Sequence, residues 1–143
     1  SLLEHKWKAI ENHVITNCQL SHSNESLCSG TDLDGIVSIW DAKTGLKKTT
    51  IHHLHESIIT SCQFTKTDDR IISTSYDKTV KFFDVVSHRT TMTLSRMKFN
   101  RLTHLLVDDA RHKNSIIMND RSIDLITTRR INDIVRGENL LTN

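Results

Sequence analysis

DGIVSIWD, Asp34 to Asp41, and DKTVKFFD, Asp77 to Asp84, share one frame at an offset of 43 residues. In each, an aspartate opens a turn, apolar residues then alternate with others, and an aromatic is followed by a second aspartate. Working outward, ITNCQL (Ile15 to Leu20) and ITSCQF (Ile59 to Phe64) are identical at four of six positions, at an offset of 44. One extra residue therefore lies near Asp32 or Leu33 in the first copy. A fainter third copy follows. DRSIDLIT (Asp120 to Thr127) starts 43 residues after Asp77 and places Ile123 and Leu125 where Val80 and Phe82 stand. LTHLLV (Leu102 to Val107) starts 43 residues after Ile59. Self-similarity at a fixed period of this size is the signature of a repeat architecture.

The period inside each copy is two. Val37 and Ile39 point one way, Ser38 and Trp40 the other; Val80 and Phe82 repeat this against Lys81 and Phe83. Such alternation over short runs predicts strands. The turns agree. Asp34-Gly35 between two alternating runs is a strong hairpin signal. Gly45 stands where a short hairpin needs a left-handed residue, and His88 and Ile131 hold that place in the later copies. Proline is absent and glycine occurs only four times, so the other turns fall to Asp, Asn, Ser and Thr. The second copy predicts four antiparallel strands, near 58–64, 70–75, 79–84 and 89–94. One such sheet cannot bury both faces alone and must stack on a neighbour.

These residues resemble the WD40 β-propeller family, whose repeat of about 43 residues ends its third strand in Trp-Asp. The best copy runs LHESIITSCQFTKTDDRIISTSYDKTVKFFD, with His55 four residues before Ile59 and Leu54 where the family has glycine. The resemblance implies a buried tetrad of His, Ser, Asp and Trp. The matching residues are Ser29, Asp34 and Trp40 in the first copy, His55, Ser73 or Ser75, and Asp77 in the second, and Asp120 in the third. No copy completes the set: the first has Glu11 in place of the histidine, and the second has Phe83, which lacks the indole N–H. Each link of such a chain contributes about 0.5–1.5 kcal/mol net.

The expected fold is all-β, a partial propeller of about three four-stranded antiparallel blades out of a ring of about seven. Residues 1–10 are expected as the outer strand of a preceding blade, with Trp7 as a packing residue. Residues 11–54, 55–97 and 98–143 are expected as the three repeats. Three blades cannot close a ring, so missing blades or self-association must complete it. The chain opens at Ser1 rather than Met, which suggests a piece of a longer product.

Composition narrows the function. Apolar residues are 36%, charged residues 25%, and the net charge is +2, too weak to argue for nucleic acid or an acidic membrane. No run approaches the eighteen or so apolar residues of a membrane span. Cys18, Cys28 and Cys62 show no CxxC spacing, which points to a reducing, intracellular compartment, cytoplasmic or nuclear. In HHLH, His53 and His55 would share a face of an extended strand, but zinc needs three or four ligands in defined geometry, so no metal is expected. Cys18 and Cys62 recur at one position and read as packing thiols on an inner strand. Asp68-Asp69 and Asp108-Asp109 read as turn formers rather than an acid–base pair. Arg89, Arg96, Lys98 and Arg101, with Met97 and Phe99 between them, and Arg129-Arg130 offer too few aromatics for RNA stacking.

No GxSxG, HExxH or glycine-rich phosphate loop is present. The expectation is a non-catalytic protein-interaction scaffold without cofactor, whose partners are other proteins. In the family, the residue before the turn aspartate contacts partners from the top face; here it is Leu33, Tyr76 and Asn119. An RNA-associated propeller in splicing or ribosome assembly is one alternative. A ubiquitin-ligase substrate receptor is another, weakened by Lys43 where the docking motif Trp-Asp-x-Arg has arginine.

Overall fold

The structure is a computed structural model that describes residues 3–95 and three further strands. Eleven strands are described: β1 (Ile15–Leu20), β2 (Ser26–Thr31), β3 (Val37–Asp41), β4 (Lys47–Ile51), β5 (Ile59–Phe64), β6 (Arg70–Ser75), β7 (Val80–Asp84), β8 (Arg89–Leu94), β9 (His104–Val107), β10 (Asn114–Met118) and β11 (Ile123–Thr127). They form two four-stranded antiparallel sheets, β1-β2-β3-β4 and β5-β6-β7-β8, and a three-stranded sheet, β11-β10-β9. No helix occurs among the described residues. Each sheet is an up-and-down meander, as alternating runs joined by short turns dictate. A fourth strand of the third sheet, expected after the turn position at Ile131, falls outside the described residues.

The repeat extends to irregularities. β1–β2 and β5–β6 both slip register at their second residue, Thr16 and Thr60. β3–β4 and β7–β8 both slip beside the aromatic, after Ile39 and after Phe82. Bulges increase local twist and bend a strand, so the two sheets bend in the same places. The turns take left-handed backbone at Asp34 and Gly35, at Lys78, and at Gly45 and His88. Those last two are the positions matched by sequence.

The main core lies between the first two sheets. Cys28, Val37 and Ile39 meet Ile59, Phe64 and Ile71 there. Gly30 permits the approach: a Cβ at that position would lie 2.5 Å from Ile59 Cγ2. Burial of a side chain such as Ile59 is worth about 1.5–3 kcal/mol. Polar ties cross the same seam. Asn17 Oδ1 accepts from Cys62 N at 2.9 Å, and Thr16 Oγ1 donates to Ile59 O. β9 then lies beside β5 and β6, continuing the stack.

The matching strands β1 and β5 differ in burial. Ile59 is 0% exposed and its counterpart Ile15 47%. β5 is covered by β1 and β2, whereas β1 has no sheet beyond it among the described residues. Cys18 is exposed for the same reason, which corrects its expectation as a buried packing thiol; Cys62 is buried as expected. The Cys28 thiol beside it and its own burial push the Cys62 thiol well above the usual range. Residues 3–10 carry no strand here. The Trp7 ring lies against Gly45, and its indole N–H donates to Ala42 O at 2.9 Å, so Trp7 packs on the β3–β4 turn.

Candidate functional site

Three connections gather at one end of the stacked sheets: the β2–β3 turn, the β4–β5 link and the β6–β7 turn. They are tied to one another. Gly35 O in the first accepts from Leu54 N at 3.1 Å and His55 N at 3.4 Å in the second. A side chain at Gly35 is excluded, because its Cβ would lie 1.9 Å from His55 O. Asp77 in the third accepts from Glu56 N at 3.0 Å in the second.

The ties rest on a buried hydrogen-bonded chain. His55 leaves the β4–β5 link and turns into the second sheet. Its Nδ1 lies 3.0 Å from Asp77 Oδ2 and 2.9 Å from Thr79 Oγ1, and its Nε2 lies 2.7 Å from Ser73 Oγ. A carboxylate only accepts, so Nδ1 carries the proton and Nε2 accepts from the serine hydroxyl. Burial by itself would raise the Asp77 carboxyl. Hydrogen bonds from His55, Thr79 and the Glu56 amide outweigh it and hold that carboxyl well below the usual carboxylate range.

Of the two candidate serines, Ser73 meets the histidine. Ser75 Oγ instead accepts from Asp77 N at 3.1 Å, shaping the turn. Phe83 stands at the third-strand aromatic position, with the His88 ring edge-on at 5.0 Å.

The first sheet holds the other half of the set. Trp40 Nε1 donates to Ser29 Oγ at 2.9 Å. Glu11, at the histidine position, accepts from Ser38 Oγ at 3.0 Å and pairs with Lys47 at 3.2 Å, and the Lys47 ammonium lies 4.8 Å from the Trp40 ring centroid. Asp34 does not join this group. It is exposed, with left-handed backbone, in a turn one residue longer than its counterpart. The histidine that Asp77 meets in the second sheet is replaced here by Glu11, which has no proton to offer a carboxylate. Asp32 Oδ1 is buried in the same turn without a hydrogen-bond partner.

Leu33 stands out from the rim at 57% exposure. Tyr76 is half-buried rather than exposed, because its backbone N–H donates to Ile58 O at 3.0 Å and holds it beside β5. Asn119 and Asp120 fall outside the described residues, as do Asp108-Asp109, Arg96, Lys98, Arg101 and Arg129-Arg130. HHLH is not an extended strand: β4 ends at Ile51, His53 is left-handed, and His55 points inward while His52 and His53 are exposed.

Asp69 caps Thr65 and Thr67, as a turn former should. Asp68 does more. It accepts from His22 N at 2.8 Å and Ser23 N at 2.9 Å, clasping the β1–β2 turn of the neighbouring sheet. Nothing in the local sequence signals that contact across 46 residues; only the stacking of copies does.

A family model described as WD domain, G-beta repeat matches residues 4–41 and 46–84. No curated protein matches the chain. Among solved structures, the chain is similar to one described as the crystal structure of RRP9 WD40 repeats, with a TM-score of 0.70 and 16% identity. It is also similar to one described as the structure of U3-55K, with a TM-score of 0.68 and 15% identity. Each alignment covers 80% of this chain and 36% of the other, so the chain spans about a third of their length. At these identities the likeness is one of fold.

Proposed function

The chain belongs to the WD40 family of G-beta repeats, and from that premise we propose that it is a non-catalytic, intracellular interaction scaffold whose loop rim docks other proteins in a multiprotein assembly. The observation that carries this reading is the cross-tied rim. Gly35 is bonded to the β4–β5 link, and that link to Asp77, while Leu33, two residues before Gly35, stands out in solvent. Loops on a rigid scaffold present binding residues without a large ordering cost. Leu33 in the β2–β3 turn supplies apolar area, and Tyr76 in the β6–β7 turn supplies an aromatic with a polar tip.

The test is affinity capture on the full chain carrying Leu33→Asp together with Tyr76→Ala, compared with the unaltered chain. The expected result is loss of specific partners from a variant with an unchanged circular dichroism spectrum. An identical set of captured proteins, with the fold intact, would count against the rim as the docking surface.

A further inference from the structure

We propose that the groove between β4 and the β7–β8 hairpin is a second binding site, which takes an acidic side chain from an extended segment of a partner protein against Lys81. The groove has a volume of about 360 Å³. Its floor is apolar, with Ile51, Leu54 and Phe83 buried beneath it. Its charged and titratable lining is Lys81 of β7, His52 and His53 of the β4–β5 link, and His88 of the β7–β8 turn. No carboxylate lines it, and none pairs with Lys81 among the described residues.

The repeat itself shows what such a place holds. By strand register, Ser38, Trp40 and Lys47 of the first sheet match Lys81, Phe83 and Thr90 of the second. In the first sheet those residues hold a carboxylate: Glu11 lies between the Ser38 hydroxyl and the Lys47 ammonium. In the second sheet the residue matching Glu11 is His55, which is committed to Ser73 and Asp77 inside the sheet. The short Thr90 stands where Lys47 covers Trp40, and the smaller Phe83 replaces the indole. The space is therefore open, and the cation has moved to Lys81. A carboxylate from outside would meet there the kind of partners that Glu11 meets within the chain, with the three imidazoles as further donors.

The observations favour a protein segment over nucleic acid. RNA binding of this kind needs open aromatic faces and a basic track. Phe83 is buried with His88 edge-on to it, and the lining holds one lysine.

The experiment is fluorescence anisotropy on the full chain at low salt, with three labelled probes: a Glu-Ala repeat peptide, the same peptide with Gln for Glu, and an oligouridylate. The Glu peptide is expected to bind about tenfold more tightly than the Gln peptide, the size of one charge-assisted contact. Lys81→Ser, which installs the residue of the first sheet, should remove most of that preference. Lys81→Glu should reverse it. Circular dichroism melts check that both variants stay folded, and the His88 ring resonances in NMR should shift on adding the Glu peptide to the unaltered chain. Equal binding of the two peptides, or a preference that survives Lys81→Ser, would overturn the proposal. Lys81-dependent binding of the oligouridylate in place of the peptide would also overturn it. This site does not depend on the rim: failed capture through Leu33 and Tyr76 leaves peptide binding to be read directly.

Discussion

His55 Nε2 lies 2.7 Å from Ser73 Oγ inside the second sheet, and Phe83 stands where an indole N–H would extend that chain. The first sheet holds the complementary piece, Trp40 to Ser29, with Glu11 in the histidine's place. Two adjacent blades thus carry opposite halves of one hydrogen-bonded chain. Each half should be worth about what its own links provide.

Ser73→Ala should destabilise the domain by about 1–3 kcal/mol, since it leaves the buried imidazole nitrogen without a donor. Trp40→Phe should cost less than about 2 kcal/mol, because a buried ring is kept beside the Lys47 ammonium and the Ser29 hydroxyl loses only the indole donor. Phe83→Trp runs the other way. The Ser73 hydroxyl can donate to His55 and accept from a new indole, and a gain of about 1 kcal/mol is expected where the larger ring fits the groove. Urea unfolding of the three variants measures all of this. A Phe83→Trp protein less stable than the parent would show that packing outweighs the added bond.

Asp77 sets an acid limit. Its folded carboxyl is held well below its ordinary value, so its contribution is fully present above the unfolded value of about 3.9 and is lost as pH falls below that toward the folded one. Asp77→Asn should lower stability at pH 6 and flatten the decline between about pH 4 and pH 2. Unfolding midpoints across that range, parent against variant, check it. Parallel curves would assign the acid sensitivity to other carboxylates, such as Asp68 and Asp69, which are also lowered.

Two glycines report on the seams. Gly30→Ala drives a methyl into Ile59 between the sheets and should cost about 1–3 kcal/mol, as overpacking does. Gly35→Ala meets backbone rather than side chain and requires a left-handed alanine, so it should be the worse of the two. Thermal melts rank them. A Gly35→Ala protein that melts like the parent would mean that the β2–β3 turn moves freely from the β4–β5 link.

Asp68→Ala removes two backbone hydrogen bonds and a His22 ring contact between the turns of neighbouring sheets. A loss of about 1–2 kcal/mol is expected, larger than an exposed turn residue would show. Hydrogen exchange at the His22 and Ser23 amides should speed up with it. Unchanged exchange would mean that the clasp contributes nothing in solution.

The sequence by itself determined the strands, their alternation and the stacking of copies, because these follow from period-two patterning and turn chemistry that each repeat carries locally. β6 and β8 lie where the second copy predicts them, and the left-handed turn matched at Gly45 recurs at His88. The fates of equivalent residues were decided only in three dimensions. Ile15 and Ile59 sit in nearly identical words, yet a neighbouring sheet covers one and not the other. Ser73 and Ser75 share one face of β6, yet only Ser73 meets His55, because Ser75 ends the strand and its hydroxyl accepts from the Asp77 amide. Asp34 turns to solvent where Glu11 replaces the histidine that Asp77 meets. Tyr76 is drawn against β5, and Asp68 reaches the next sheet's turn. Burial, register and contact between copies belong to pairs of distant segments, and no single repeat encodes the side of it that will be covered.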